Sequence, residues 1–200
     1  KKKFVPFTRR LPLDHSANFF HSKRILPATA RRFEAGAYYG RGFLANSIAV
    51  RIHNPDGNPL GYAARRLNKS IVQKYGKWNF PPRLPKNKIL YNYHRLDPYK
   101  HDTVVVVEDA WSVMRLTQLD IPAVALLGIH LSDFQLKLLA GKNSIILMLD
   151  GDHAGRKAAE KLQPVLNRFI STYTITLPDG IDPDDLSDVE LGTYTAPFFS

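Results

Sequence analysis

The sequence predicts an α/β protein in which a small basic α+β subdomain, residues 1–102, precedes a parallel sheet flanked by helices, residues 103–200. In the second half, apolar strands alternate with amphipathic helical segments, a pattern that requires crossover connections and therefore parallel strands. The first half holds 21 of the 28 Lys and Arg residues but only 5 of the 18 Asp and Glu residues. We therefore expect the two halves to have different roles.

The elements of the second half follow from local patterns. Runs of β-branched and apolar residues indicate strands at 103–107, 124–127, 144–149 and 173–177. Helices are predicted at 110–119, 132–141 and 154–170, the second beginning near Ser132 and ending at Gly141, residue types that favour helix ends. Pro164 is expected to kink or shorten the last helix, because proline has no backbone N–H to donate.

Acidic residues follow three of these predicted strands. Glu108 comes directly after the first strand, and Asp150 and Asp152 come after the third. Asp182 and Asp184 follow the fourth strand. Ligands of open parallel sheets bind outside the carboxyl ends of the strands, so we expect these acids to converge.

The chemistry of the five acids predicts a metal site. Neighbouring carboxylates repel one another unless a cation neutralises them, and hard oxygen ligands select Mg²⁺ or Mn²⁺. Gly151 is expected to let the backbone bend between Asp150 and Asp152. A lone DxD is usually a plain turn, but acids at three strand ends match a phosphoryl-transfer site better.

Composition narrows the class of protein. The chain is 44% hydrophobic and contains no cysteine, which allows a core and excludes disulfides and thiolate metal sites. No apolar segment approaches the roughly 20 residues of a membrane span, and the start KKKFVPFTRR lacks the apolar run of a signal peptide. We therefore expect a cytoplasmic protein with no membrane partner. A fused P-loop helicase is not expected either, since no G-x-x-x-x-G-K-[ST] motif occurs.

Aromatic residues are interleaved with the basic residues of the first half. They are Tyr38, Tyr39, Tyr75, Trp78, Phe80, Tyr91 and Tyr93. This mixture is typical of a surface that tracks phosphates and stacks bases of a single strand. The alternative, that these aromatics are core and the charge only aids solubility, stays open.

The motifs resemble those of bacterial DnaG-type primases, which contain the Toprim fold. VVVVEDAWSVMRL, LDGDHAGRKAA and LPDGIDPDDL resemble the three acidic Toprim motifs, in order. SIAVRIHNPDGNPLGYAARRL and KYGKWNFPPRLPKNKILYNYHR resemble the basic subdomain of the primase RNA polymerase core. The resemblance covers roughly residues 30–190 and depends on several motifs occurring in order.

The resemblance implies a nucleotidyltransferase that makes short RNA primers on single-stranded DNA from ribonucleoside triphosphates, with Mg²⁺ or Mn²⁺. It implies that the five acids bind metal and that Glu108, Asp150, Asp152, Lys77 and Lys86 are catalytic. The residues implied in nucleic-acid binding are Arg65, Arg66, Lys74, Lys77, Arg83, Lys86 and Lys88. Solvated loop lysines are the alternative for Lys77 and Lys86.

The resemblance also implies a wider setting in bacterial, plasmid or phage replication. A zinc-binding module is expected elsewhere in the full protein, the KKK start predicts a catalytic fragment, and a replicative helicase is a candidate partner. Asp109 stands where the family has glycine, which places an extra carboxylate beside Glu108, and Arg156 is expected to brace the acidic turn. A Toprim nuclease and a non-catalytic single-strand-binding module stay open as alternatives. A topoisomerase is disfavoured, because there is no room for its large tyrosine-bearing domain.

Overall fold

Two four-stranded sheets organise the part of the chain that the computed structural model describes, residues 3–199. Residues 1, 2 and 200, the outermost positions of the two predicted domains and part of the KKK start, lie outside the described residues. By its internal contacts the chain divides into a unit that ends at Pro85 and a unit that begins at Lys86.

The first unit is an antiparallel sheet with short helices. Its elements are α1 Asn18–Ser22, α2 Pro27–Arg32, β1 Ala35–Tyr38, β2 Ser47–His53, β3 Pro59–Arg66, α3 Lys69–Tyr75 and β4 Trp78–Asn79. The strand order is β1-β2-β3-β4. The turn between β2 and β3 is closed by Asn54, whose side chain accepts a hydrogen bond from the N–H of Asn58 at 2.8 Å, and by Gly57 with φ +86°. These turn residues set the pairing of the two longest strands.

The second unit is the predicted parallel sheet flanked by helices. Its elements are β5 Thr103–Val107, α4 Ala110–Gln118, β6 Ala123–Ala125, α5 Asp133–Leu139, β7 Ser144–Leu147, α6 His153–Leu166, β8 Ser171–Thr174 and α7 Asp188–Thr195. The strand order is β6-β5-β7-β8, and all three pairings are parallel. Its core is made by the apolar strand residues predicted from the sequence, including Val104, Val106, Ile145 and Leu147. The predicted fold class is confirmed.

The bounds of several elements differ from the prediction; β6 covers residues 123–125 instead of 124–127. β8 covers residues 171–174 instead of 173–177, because its ladder with β7 begins at Ser144 paired with Ser171. α6 ends at Leu166 instead of residue 170, shortly after Pro164, as the missing N–H of proline predicts. β7 ends at Leu147, two residues early, and the chain continues extended beyond it.

The segment 86–102 packs with the second unit although its charge resembles that of the first half. Tyr91 and Ala125 exchange backbone hydrogen bonds of 2.9 and 3.1 Å at the edge of β6. The side chain of Gln135 donates to the carbonyl of Ile89 at 2.6 Å. The contacts therefore divide the chain earlier than the charge does, and the functional division at residue 102 stays a prediction.

Within residues 3–199, no helix is both long enough and apolar enough to cross a membrane.

Candidate active site

Glu108 and Asp150 lie side by side at the carboxyl ends of neighbouring strands. The N–H of Met148 donates to the carbonyl of Val106 at 3.0 Å, which holds the chain beside β5 after β7 has ended. The N–H of Asp150 then donates to Glu108 Oε1 at 3.2 Å. A Cβ at Gly155 would lie 2.9 Å from Glu108 Oε1 and would overlap the carbonyl oxygen of Asp150, so this approach requires glycine.

The DGD turn packs tightly against the loop that follows β8. The N–H of Gly151 donates to the carbonyl of Ile181 at 2.9 Å, and a Cβ there would overlap the carbonyl oxygen of Pro178. Gly151 does not have a positive φ, so close packing, and not a special bend, explains the glycine. Arg156 Nη1 donates to the Gly151 carbonyl at 2.9 Å and lies 2.7 Å from Asp179 Oδ1. The expected bracing role of Arg156 is confirmed.

Asp152 caps the helix that follows the turn. Its Oδ1 accepts a hydrogen bond of 2.7 Å from the N–H of Gly155, and its side chain is exposed. An aspartate at this position satisfies a backbone N–H that has no partner within the helix. The capping bond occupies one carboxylate oxygen, and the role of Asp152 as a metal ligand stays a prediction.

The third acidic group forms a single 3₁₀ turn, Pro183–Asp185. The N–H of Asp182 donates to Asp185 Oδ2 at 3.3 Å, and the N–H of Asp185 donates to the carbonyl of Asp182 at 2.9 Å. Asp184 is buried, whereas Asp185 is exposed. The turn therefore directs Asp184, and not its neighbour, into the protein.

Arg115 on α4 holds the segment that follows this turn, and sequence reasoning did not find it. Its fully buried guanidinium donates from Nη2 to the carbonyl of Leu186 at 2.9 Å and pairs with Asp188 Oδ1 at 2.7 Å. On the predicted amphipathic helix Arg115 carries no local sign of burial, because its partners lie about 70 residues later in the chain.

The pKa of Asp150 reports how close the acids are. Burial, followed by the charges of Glu108, Asp182, Asp109 and Asp184, raises the pKa of Asp150 from 3.8 to about 8. Carboxylates from all three strand ends therefore act on one group. Each opposes its ionisation, which a bound cation would favour.

Asp109 adds a further carboxylate to the cluster. Its Oδ1 caps α4 by accepting hydrogen bonds from the N–H groups of Trp111 and Ser112, at 3.0 and 3.1 Å. Burial and the charge of Asp184 raise its pKa to about 7, although these hydrogen bonds oppose the rise. The extra acid noted in the sequence is thus both a helix cap and a part of the acidic cluster.

The acids are close enough for their charges to interact, but their side chains are not arranged around a common metal position. In the described part of the chain, no group of three or more His, Asp or Glu side chains is placed to hold a metal ion. Capping bonds and mutual repulsion account for this separation. The possible ligands still fit a hard divalent cation, because they are carboxylate groups. Their negative charges repel one another, and a bound cation would neutralise them.

The basic residues predicted in the first unit have different environments. Lys74, Lys77 and Arg83 are exposed, with the Lys74 ammonium 5.1 Å from the centre of the Tyr75 ring. Arg65 is half-buried at the end of β3.

Arg66 is held by the backbone of its own unit. Its Nη1 donates to the carbonyls of Tyr75, Gly76 and Trp78 at 3.0, 3.0 and 2.7 Å. This nitrogen therefore stabilises the end of α3 and its junction with β4.

Lys86 belongs to the second unit and lines a cavity of about 340 Å³ with the loop after β6. In that loop the N–H of Gly128 donates to the backbone carbonyl of Glu108 at 3.1 Å. Desolvation lowers the pKa of Lys86. Lys86 thus shares a cavity with the segment that adjoins Glu108, and both Lys86 and Lys88 are exposed to solvent.

Comparison with known families places the acidic motifs within one domain. Residues 105–187 match a family model described as Toprim-like. The match extends from β5 to the end of the terminal acidic turn.

Relatives of the chain are named DNA primases. The chain is 30% identical over 161 residues to a DNA primase of Mycoplasma genitalium, covering 74% of this chain and 26% of the relative. It is 35% identical over 161 residues to a DNA primase of Legionella pneumophila, covering 76% of this chain and 28% of the relative. The chain thus spans about a quarter of the length of these relatives.

Solved structures share the fold. A primase of Aquifex aeolicus comprising zinc-binding and RNA polymerase domains matches with a TM-score of 0.76 at 22% identity, covering 90% of this chain and 55% of the other. A DnaG primase catalytic domain bound to single-stranded DNA matches with a TM-score of 0.72 at 20% identity, covering 92% and 71%. The resemblance inferred from the motifs is confirmed.

Proposed function

We propose that this chain, which is similar in sequence and fold to the catalytic cores of bacterial DnaG-type DNA primases, synthesises short RNA primers on single-stranded DNA. The observation that carries the proposal is the convergence of the acids at neighbouring strand ends, where the N–H of Asp150 donates to Glu108 Oε1 at 3.2 Å. Burial, followed by the charges of Glu108, Asp182 and Asp184, raises the pKa of Asp150, in agreement with that geometry. Such a cluster is costly unless it serves a cation, and phosphoryl transfer is the chemistry that uses one.

Glu108, Asp150, Asp152, Asp182 and Asp184 would hold Mg²⁺ or Mn²⁺. When bound, the cation supplies charge neutralisation for the triphosphate and activation of the attacking hydroxyl. Asp150, with its pKa near 8, carries a proton at neutral pH and should release it when the cation binds. Gly155 and Gly151 keep this group of acids close.

Lys86 and Lys77 would contact the nucleotide. Support for Lys86 comes from its lowered pKa and from the cavity it shares with the loop bonded to Glu108. A lysine ammonium at this position would contact phosphate oxygens through charge-assisted hydrogen bonds. Lys77 is proposed from the motif and from its exposure in the basic unit.

Single-stranded DNA is the proposed template and ribonucleoside triphosphates are the proposed substrates. Arg65, Arg66, Lys74, Arg83 and Lys88 would contact template phosphates, with residues 1–102 as the template-handling part and 103–200 as the Toprim part. Arg66 would do so through guanidinium N–H groups other than those that bind the three carbonyls. The solved relative bound to single-stranded DNA supports this choice of template. A zinc-binding module in the longer protein, a replicative helicase partner and a cytoplasmic setting in bacterial, plasmid or phage replication belong to the same proposal.

A product-length assay tests the function. The protein is incubated with single-stranded DNA, labelled nucleotides and Mg²⁺ or Mn²⁺, and extension of short products is expected. Asp150→Ala should abolish extension, while Asp102→Ala, an exposed acid at the opposite end of β5 from Glu108, should keep it. Shortened DNA would instead indicate a nuclease, and binding without either change would indicate a non-catalytic module.

A further inference from the structure

A cavity of about 310 Å³ opens in the unit that ends at Pro85, far along the chain from the acidic cluster. Four of its lining residues are aromatic: Phe7, Tyr38, Phe43 and Tyr62. Prolines 81 and 82 complete an apolar wall, and Arg41 lies at the cavity as its charged residue. Cavities of this size with mostly apolar walls are typical of ligand sites.

The floor of the cavity is formed by Tyr62, which is held by several contacts. The Tyr62 ring lies 5.3 Å from the guanidinium carbon of buried Arg51, and its hydroxyl accepts hydrogen bonds from Arg51 at 3.0 Å and from the N–H of Leu11 at 3.2 Å. Next to it, Gly61 has φ +146°, which strains any other residue. A Cβ there would point towards Pro81 Cγ at 3.5 Å and Phe7 Cβ at 3.8 Å. The backbone conformation therefore favours glycine at position 61, and glycine has no side chain to occupy the space between Pro81 and Phe7.

Two phenylalanines remain exposed beside this floor. Phe7 is 43% exposed and packs edge-on against Tyr62, with ring centres 6.3 Å apart. Phe43 is 46% exposed and lies in the loop between β1 and β2, after Gly42 with φ +90° and exposed Arg41. Exposed aromatic rings beside a preformed cavity are typical of surfaces that stack planar ligands.

Phe43 also lines a second cavity, of about 410 Å³, on the same sheet. Unlike the first, this cavity is lined by the amide residues Asn46, Asn68 and Asn79. Phe43 thus lines both cavities; in the second, Asn68 caps α3 and Asn79 donates to the carbonyl of Phe43. Stacking partners and hydrogen-bonding edges are the two features by which unpaired bases are bound.

The positive charge of this unit indicates which kind of ligand the cavity would bind. Residues 1–85 hold 17 of the 28 Lys and Arg residues and 3 of the 18 Asp and Glu residues. An apolar peptide would gain nothing from this excess, whereas a nucleic-acid strand combines flat apolar bases with an anionic backbone.

We propose that Phe43 is a base-stacking residue, and that an unpaired base of a single DNA strand enters the cavity between Phe43 and Phe7 above Tyr62. The inference rests on the template binding proposed above and adds a base-contacting site that is separate from the phosphate-contacting residues. Stacking is tolerant of sequence, so the site holds the strand without selecting a base.

Fluorescence anisotropy with two oligomers of about 12 units tests the site, one of single-stranded DNA and one with the same backbone but no bases. Phe43→Ala should weaken binding of the DNA by about 5-fold or more and leave binding of the baseless oligomer unchanged. The dependence on salt should stay the same, because no phosphate contact is lost. Phe43→Trp should restore the affinity, and the fluorescence of the new indole should fall when DNA binds.

Phe169→Ala is the matched control, since it removes a phenylalanine that is 59% exposed in the other unit, and it should bind like wild type. Equal DNA affinity of wild type and Phe43→Ala overturns the stacking site while leaving the proposed function intact. Failure of the wild type to bind DNA refutes the template proposal and the stacking site together. A parallel loss of affinity for both oligomers means that Phe43 supports the loop and does not stack.

Discussion

Replacing Asp150 with Asn should stabilise the protein in the presence of a chelator, and should do so much more at pH 9 than at pH 5. Burial and neighbouring carboxylates raise the pKa of Asp150 to about 8, so the folded state holds this proton more tightly than the unfolded chain does. The stability that the proton brings is complete below about pH 4 and is lost as pH rises through about 8. Asn is neutral at every pH and avoids this loss.

The magnitude follows from the shift. A rise from 3.8 to about 8, at roughly 1.4 kcal/mol per pKa unit, sets a ceiling on the order of 6 kcal/mol. Asp150 is only half-buried, so solvent screening reduces the effect, and we expect Asn to stabilise by about 2 kcal/mol at pH 9. At pH 5 the folded state is still protonated and the pH lies only about one unit above the pKa of the unfolded chain, so only about 30% of the shift applies and the difference should be small.

Urea denaturation at pH 5 and pH 9 measures both differences. Asp152→Asn is the matched control, because Asn also caps helices and the residue is exposed in the same turn, so the two pH values should give similar results. With Mg²⁺ in place of chelator, wild type should gain more stability than Asp150→Asn. An equal effect of Asp150→Asn at both pH values would refute the reasoning, since it would mean that the carboxylate ionises without opposition.

Three further predictions concern the metal, the template and the packing. Mg²⁺ should raise the melting temperature of wild type, and Glu108→Gln should lose most of that rise; an undiminished rise would remove Glu108 from the ligands. In anisotropy titrations over several salt concentrations, Arg65→Ala should weaken single-stranded DNA binding and flatten the salt slope by about 0.7, whereas Arg66→Ala should chiefly lower the melting temperature because Arg66 binds three carbonyls. An unchanged slope for Arg65→Ala would make that residue structural. Gly151→Ala should lower the free energy of unfolding in urea by about 1–3 kcal/mol, because the new methyl overlaps the carbonyl of Pro178, and a neutral effect would contradict that packing.

Local patterns in the sequence were sufficient to predict the architecture of the second unit. The strand Thr103–Val107 is observed as predicted, because four consecutive buried valines suit a central parallel strand. The helix after Ser132 begins where this cap residue predicts, and the structure shows that Ser132 forms a capping box with Gln135. The convergence of Glu108 and Asp150 followed from one topological fact, that parallel strands end at the same edge of a sheet.

Tertiary contacts decided what these local signals could not. The charge of segment 86–102 suggested the first half, but the backbone pairing of Tyr91 with Ala125 joins it to the second unit. The prediction for β8 was displaced, because its bounds depend on the ladder with β7 and not on its own residues.

The acidic cluster shows the same division between sequence and structure. The sequence by itself determined which acids follow the strand ends, since their positions depend on a local alternation of strands and helices. Asp109 caps α4 through local contacts, but only the tertiary structure decided that it lies within reach of Asp184, and that buried Arg115 holds the segment beyond the acidic turn. The physical reason is distance along the chain. Hydrogen bonds and desolvation act here between residues about 70 positions apart, and the periodicity of a sequence predicts only local structure.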